Sequence, residues 1–574
     1  MPRTRVREVP ERVDQAGRVL LPLDENAVRS VVEEASASGA EAIAVCLLWS
    51  FRNPSHELRI REIIREVAGD RVAVSLSSEV SPVIGEYERT SSTLISAYLA
   101  PAARSHYRRV EKMLSDSGFR GNFSVLNSLG GVIPASDAAE RAVLTVLSGP
   151  TGGVTGSRYL AQTLGHSNVI TSDMGGTSFD VSVIVQGQPL IALGKETSGY
   201  HCSTPMVDIA TIGAGGGSIV TVRGGLIKIG PESAGSIPGP VCYGRGGARP
   251  TVTDADVVLG IVDPENFLGG RMKLDARAAA RAIQEQVADP LGIGLEEAAA
   301  GIRRIVDSQM ADLLREVTVN RGHDPRNFVL YAYGGAGPTH AAGYGRELGI
   351  RQIIVPATSM VHSAYGALAS DTLFSAERSR VLAGRADGLG IDAKAVEEEF
   401  QALETQCEAA LEAAGFGETD RELRRFAEIR YRMQTHQLMV PVPLGRITAD
   451  LVGVIAARFA KSYEETYGQE SAFTLAGIEI VTFRVEGVGR TPKPAFATLA
   501  GKERAVRRQR MIYREETKRR EPVAVLDWRG LAIGERVDGP TIIEHPSTTV
   551  VVGQAQCATM DQFGNLVIEE GGVA

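Results

Sequence analysis

Along residues 25–70 the apolar positions change period twice. "ENAVRSVVEEASASG" spaces its apolar residues as a helix does, "AEAIAVCLLWSF" runs apolar as a short buried strand, and "HELRIREIIREVAG" returns to the helical period. This βαβ rhythm predicts a parallel sheet. "RVAVSLSSEV" continues it as a strand. "TSSTLISAYLAPAARSHYRRVEKMLSDSG" predicts a long helical segment, with Pro101 at a turn start or a kink, and "NFSVLNS" a further strand.

From residue 168 the pattern shifts to hairpins. "NVITSDMG", "DVSVIVQG" and "QPLIALG" read as three successive antiparallel strands, with Val181, Val183 and Val185 on one face. "PMVDIATIGAGGGSIVTVRGGLIKIG" adds strands around a glycine cluster, and residues 275–320 form helices, one broken at Pro290. "NFVLYAYGGAGPTHAAGYGRELG" then predicts strand, glycine turn and helix, followed by the strand "RQIIVP". After about residue 385 the chain turns charged and helical up to 426, with alternating strands beyond. The expected division is an α/β segment over 1–145, a core over 146–380 and an α+β, β-rich segment over 381–574. No internal repeat is evident.

Composition narrows the function classes. Lys plus Arg number 61 against 69 Asp plus Glu, a net charge of −8, so no polyanion or nucleic-acid partner is implied. No apolar stretch approaches a membrane span and "MPRTRVREVPERVD" lacks a signal-peptide core, so the expected location is cytoplasmic, with no membrane partner. Cys46, Cys202, Cys242, Cys407 and Cys557 are scattered and read as reduced, mostly buried thiols. Glycine is the outlier, with 63 residues concentrated between about 129 and 345. These glycines alternate with strand-like runs, which predicts tight loops where backbone approaches something closely.

The chemistry concentrates in two of those loops. In "TSDMGGTSFD", residues 171–180, paired Gly175 and Gly176 allow a turn with consecutive N–H groups exposed, a nest for phosphate oxygens to which the Thr177 and Ser178 hydroxyls add donors. Asp173 and Asp180 would repel an anion unless a divalent cation lies between, so they are candidate Mg²⁺ ligands; the alternative is a hairpin turn with a capping Asp. In "YAYGGAGPTHA", Gly334, Gly335 and Gly337 end a strand and start a helix, whose N-terminus favours an anion or a nucleotide. A dinucleotide fingerprint is disfavoured, because His340 replaces its third glycine and Pro356 stands where a ribose-binding acid belongs. No GxxxxGK[ST] motif is present.

A glycine hairpin after one strand, helical connections and a strand–glycine–helix turn downstream fit an α/β chain of the actin-like ATPase (ribonuclease H-like) fold. "SGPTGGVTG", "ITSDMGGTSFDVSVI", "DIATIGAGGGSI", "GPESAGSIPGPVCYGRGGARPTVTDADVVLG", "FLGG", "YGGAGPTHA" and "GPTIIEHPSTTVVV" resemble the A (large) subunit of the hydantoinase/5-oxoprolinase family, related to subunits of acetone and acetophenone carboxylases. The resemblance runs over essentially the whole chain. It implies that ATP is used to phosphorylate the carbonyl oxygen of a cyclic amide or imide for hydrolysis, with a B-type partner subunit. Asp173 and Asp180 would then hold Mg²⁺ and the transferring group, the DMGGTS loop the terminal phosphates, and the YGGAGPTHA turn the adenosine and inner phosphates. The alternatives are a carboxylase subunit of the acetone/acetophenone type and a non-catalytic paralogue.

Asp208, Asp254 and Asp256, with His201, either line the substrate side or bind a second metal, or else cap turns; Gly215 and Gly216, in the same stretch, are expected on the substrate side. His340 either contacts phosphate or packs as a hydrogen-bonded histidine, Arg245 either clamps an anion or is a solvated loop arginine, and His436 belongs to an ordinary strand. The chain departs from the family pattern at its start, where members carry a "D-x-G-G-T" strand and about a hundred further residues before the counterpart of "VPERVDQAGRVL". The expected fold is therefore incomplete at its N-terminus. The expectation is a mis-set start, a separate chain supplying the missing segment, or a degenerate paralogue; the isolated chain should bind ATP weakly and expose a sheet edge.

Overall fold

The computed structural model describes residues 2–197, 199–496 and 507–570. The chain divides into two compact units, one of Met1–Ser148, Ile191–Met206 and Ser370–Pro492, the other of Gly149–Leu190, Val207–Ala369 and Lys493–Ala574. Among the described residues no helix is long and apolar enough to cross a membrane.

In the first unit the βαβ rhythm is realised as the parallel pair Ala42–Val45 and Ala73–Leu76, joined through helix Ser55–Ala68. Ile60, Ile63 and Ile64 of that helix meet Val28 and Val32 of helix Glu25–Ala37 in one apolar cluster. The predicted long helix spans Glu86–Asp116 and contains Pro101. A six-stranded sheet runs in the order Leu438–Val442, Arg421–Tyr431, Ile478–Gly489, Thr372–Gly384, Val132–Pro134, Ser124–Leu126. Helix Ala393–Ala413 covers it so closely that a Cβ on Gly487 would lie 2.9 Å from the Cys407 Cβ. Helix does not persist to 426, because the strand Arg421–Tyr431 begins first. Its alternation is disguised by a charge on the buried face, Arg425, whose guanidinium meets Glu404 at 2.6 Å.

The second unit is organised by a sheet ordered Ile209–Ile212, Phe179–Val185, Val169–Met174, Val329–Tyr333, Gln352–Val355, Leu566–Glu570, Gln556–Met560, Arg536–Asp538. The hairpin strands pair antiparallel, whereas Val169–Met174, Val329–Tyr333 and Gln352–Val355 run parallel. Numbered along the chain, the first five lie three-two-one-four-five, the ribonuclease H-like arrangement of actin-type proteins. Helices Val252–Leu259 and Leu295–Val317 contribute Val258, Ile302 and Met310 to its core. The expected 381–574 segment is divided by strand pairing: Arg421–Tyr431 and Ile478–Gly489 join the six-stranded sheet, while Leu566–Glu570 pairs with Gln352–Val355 in the second unit.

One glycine cluster departs from the loop reading. "SGPTGGVTG" lies in helix Ser148–Leu164, where Gly153 and Gly156 serve close packing. A Cβ on Gly153 would lie 2.5 Å from the Tyr333 hydroxyl, and one on Gly366 only 1.7 Å from the Gly152 carbonyl oxygen.

Candidate active site

Asp173 and Asp180 occupy opposed positions of one antiparallel ladder, near the end of the strand Val169–Met174 and the start of the strand Phe179–Val185. Cross-strand neighbours hold their Cβ atoms roughly 4.5–5.5 Å apart, so two carboxylates meet at the sheet's end. Burial first, then the negative charge of Asp180, pushes the Asp173 carboxyl up to about 6. Burial also raises Asp180, against hydrogen bonds donated by the Thr211 hydroxyl (2.6 Å) and the Ser178 hydroxyl (3.0 Å). The Ser363 hydroxyl reaches Asp173 Oδ2 at 3.4 Å.

The turn between these acids is backed by protein on one side and open on the other. Gly216 N–H donates to the Gly175 carbonyl at 3.0 Å and Gly217 N–H to the Gly176 carbonyl at 2.7 Å. That contact is why "GAGGGS" is glycine-rich: a Cβ on Gly215 would lie 2.5 Å from the Thr177 nitrogen. The expected substrate-side role of Gly215 and Gly216 is therefore corrected to one of support for the acid-bearing turn. Above Gly175 and Gly176 a Cβ would meet nothing within 4 Å. The N–H groups of Gly176 and Thr177 find no acceptor among the described residues.

The second glycine turn lies against the first. Tyr333 is the parallel-ladder partner of Asp173, and Ala336 N–H donates to the Met174 carbonyl at 3.0 Å. Gly334 has φ +81°, which glycine adopts without penalty, and its N–H donates to the Ser359 carbonyl at 2.9 Å. The Thr548 hydroxyl donates to the Gly335 carbonyl at 3.0 Å, which gives one threonine of "GPTIIEHPSTTVVV" a use, and the Thr339 hydroxyl donates to the Thr549 carbonyl at 2.8 Å. Helix Gly337–Glu347 begins here with its N-terminus at the turn, and the exposed Gly335 N–H has no acceptor among the described residues.

Behind both turns, His362 accepts or shares protons with the Ser157 hydroxyl (3.1 Å) and the Thr358 hydroxyl (2.8 Å). Burial lowers its imidazole to about 3, so it is neutral at physiological pH and holds the segment that carries Ser359 and Ser363.

The donor set fits a hard divalent cation. Among the described residues no cationic side chain offsets these acids: burial raises both, and the charge of Asp180 raises Asp173 further. Among the described residues no group of three or more His, Cys, Asp or Glu side chains forms a closed metal cage. Mg²⁺ needs none, since it is commonly held by one or two carboxylates together with phosphate oxygens and water. Exposed N–H groups beside paired acids suit a phosphate chain and its cation together.

Other sequence candidates fall elsewhere. His340 is fully buried, with Nδ1 2.6 Å from Asp307 Oδ1 and Nε2 3.3 Å from Asp256 Oδ2, which removes it from phosphate contact. Asp256 is corrected likewise, from substrate lining to a buried ion pair with Arg303 at 2.6 Å. The Asp208 carboxylate is engaged by Arg321. Arg245 is exposed, its guanidinium 6.0 Å from the Tyr243 ring. Asp254 caps helix Val252–Leu259 and accepts from Val241 N–H (3.1 Å) and Cys242 N–H (2.7 Å). Ser359, Ser363, Arg303, Asp307 and Thr548 had no local signal, each being brought in by a distant element.

The three-two-one-four-five sheet, with paired acids at the mouth of its first hairpin, defines an α/β protein of the actin-like class. Residues 89–376 match the hydantoinase/oxoprolinase family, residues 386–570 its C-terminal domain and residues 1–68 its N-terminal region; the chain belongs to this family. It is 36% identical to the acetophenone carboxylase gamma subunit of Aromatoleum aromaticum, over 98% of this chain and 78% of the relative. It is 32% identical to the caprolactamase subunit alpha of Pseudomonas jessenii, over 100% of this chain and 82% of the relative. The crystal structure of the ATP-dependent caprolactamase from that organism superposes with a TM-score of 0.87 at 31% identity, over 98% of this chain and 82% of that one.

Proposed function

We propose that this chain is the ATP-using subunit of a ring-opening amidohydrolase of the hydantoinase/5-oxoprolinase type, acting on a cyclic amide or imide with Mg²⁺ and a B-type partner subunit. The observation that carries the reading is the Asp173–Asp180 pair flanked by N–H groups of Gly176, Thr177 and Gly335 that find no acceptor among the described residues. The likeness to a caprolactamase subunit supports the substrate class. Five free thiols suit a reducing cytoplasm.

A lactam carbonyl is a weak electrophile, and transfer of the γ-phosphoryl group to its oxygen breaks the bond to ADP and creates a leaving group. Water then adds to the activated carbon, the ring C–N bond breaks with nitrogen taking a proton, and a second water hydrolyses the resulting acyl phosphate. This chain's residues contribute position and charge. Asp173 and Asp180 would hold Mg²⁺, whose charge offsets that of the phosphates; Gly176 and Thr177 would direct their N–H groups at the terminal phosphates and Gly335 its N–H at the remainder of the nucleotide, while Gly175, Ser178, Gly334 and Gly337 would shape the two turns.

Likeness to an acetophenone carboxylase subunit favours a second reading, phosphorylation of an enol or of bicarbonate for ketone carboxylation. ADP release assayed with the partner subunit against hydantoins, 5-oxoproline, other lactams, and ketones plus bicarbonate separates the two. Ring-opened product formed in step with ADP is the expected result. Turnover with ketone and bicarbonate alone would replace the first reading by the second.

A further inference from the structure

A four-membered charge network lies beneath the second glycine turn, drawn from three helices of one unit. Asp256 comes from Val252–Leu259, Arg303 and Asp307 from Leu295–Val317, and His340 from Gly337–Glu347. Arg303 spans two partners, meeting Asp256 Oδ1 at 2.6 Å and donating its other terminal nitrogen to the Thr339 carbonyl. His340 bridges Asp307 and Asp256. Burial lowers the His340 imidazole, but the negative charges of Asp256 and Asp307 prevail and raise it. Room for Asp307 exists only because residue 343 is glycine: a Cβ there would lie 2.3 Å from Asp307 Oδ2.

The same short helix also reaches the first turn. The Thr253 hydroxyl and N–H both donate to the Gly216 carbonyl at 2.8 Å, and Gly216 in turn holds Gly175. Thr253 and Asp256 are three residues apart, hence on one helix face. One arm of helix Val252–Leu259 therefore supports the acid-bearing turn, and the other supports the Gly334–Gly337 turn through Arg303 and His340.

We infer that Arg303 and Asp256 are positioning residues that set the second glycine turn against the first at the spacing a nucleotide's phosphates require. The inference rests on the proposed reading of the two turns as a nucleotide cradle. Buried ion pairs in general add little net stability. A network that anchors the Thr339 carbonyl, at the first turn of a ligand-facing helix, gives these charges a use that packing alone does not.

The test is Mg-ATP affinity of the full chain by calorimetry, read alongside its melting temperature. Arg303→Lys keeps a cation against Asp256 and gives up the second reach to Thr339. The paired variant Asp256→Asn/Arg303→Gln removes both charges and leaves no buried ion unpaired. Both are expected to fold and to bind Mg-ATP about tenfold to a hundredfold more weakly, as ångström-scale displacement of binding groups produces. Wild-type affinity in either folded variant, with affinity lost in Asp173→Asn, overturns the positioning role alone. Affinity retained in Asp173→Asn as well overturns the nucleotide reading beneath it.

Discussion

Gly334 stands over Asp173: a Cβ built on the glycine would lie 2.4 Å from Asp173 Oδ1 and 2.4 Å from the Met174 carbonyl oxygen. The acid and the second turn are thus held in contact by the absence of a side chain. Gly334→Ala must also place alanine at φ +81°, a penalty on the order of 1–2 kcal/mol before any clash. The variant is expected to lower the melting temperature and to reduce ATP-dependent turnover at least about tenfold, because the turn is pushed off the acid. At Gly335 a Cβ would meet nothing within 4 Å, so Gly335→Ala should melt as the wild type does. Thermal melts of the two variants side by side check this.

The raised Asp173 carboxyl makes the unliganded chain sensitive to pH. A native carboxyl near 6, against the ordinary 3.8, means that the folded state binds more protons than the unfolded state between those values. Stability therefore falls as pH rises from about 4 to about 6, and the deficit persists above. Asp173→Asn removes it. The variant is expected to be more stable than the wild type at pH 7.5 by on the order of 1–2 kcal/mol, with the difference shrinking toward pH 4. Urea melts across that range measure it, and a wild type more stable than the variant at pH 7.5 would contradict the electrostatic picture.

Asp254, in "TVTDAD", is fully buried and accepts from Thr251 N–H (2.9 Å), the Thr251 hydroxyl (2.8 Å), Val241 N–H and Cys242 N–H. Asp254→Ala would leave several donors without a partner. The expected loss is about 2–4 kcal/mol. Asp254→Asn, which keeps half of the acceptors, should lose less. Because Asp254 tethers one loop to the helix that supports both turns, nucleotide affinity should follow the loss of stability rather than exceed it; denaturant unfolding and calorimetry on the same samples compare the two.

Pattern reading reached the strands that carry Asp173 and Asp180 and the strand–turn–helix of Gly334–Gly337, because alternation, paired glycines and an apolar run are local signals. It could not reach Ser363 or Thr548, which lie 190 residues from Asp173 and 213 from Gly335 and arrive through sheet order. His340 and Asp256 attracted attention as chemical residues in glycine-rich segments, yet their environment is set by Arg303, one residue in an unremarkable amphipathic helix. Glycines also carried an ambiguous signal. In "GAGGGS" they admit the neighbouring turn, and in "SGPTGGVTG" they let a helix close on Tyr333, while the sequence alone presents both as loops.

The account rests on a cation held between Asp173 and Asp180 and shared with a nucleotide. Calorimetric titration of ATP, with and without Mg²⁺, into the wild type, Asp173→Asn and Asp180→Asn addresses it most directly. The predicted result is an affinity that rises at least about tenfold with Mg²⁺ in the wild type and by less than about twofold in either variant. Equal Mg²⁺-dependent affinity in all three proteins would contradict it.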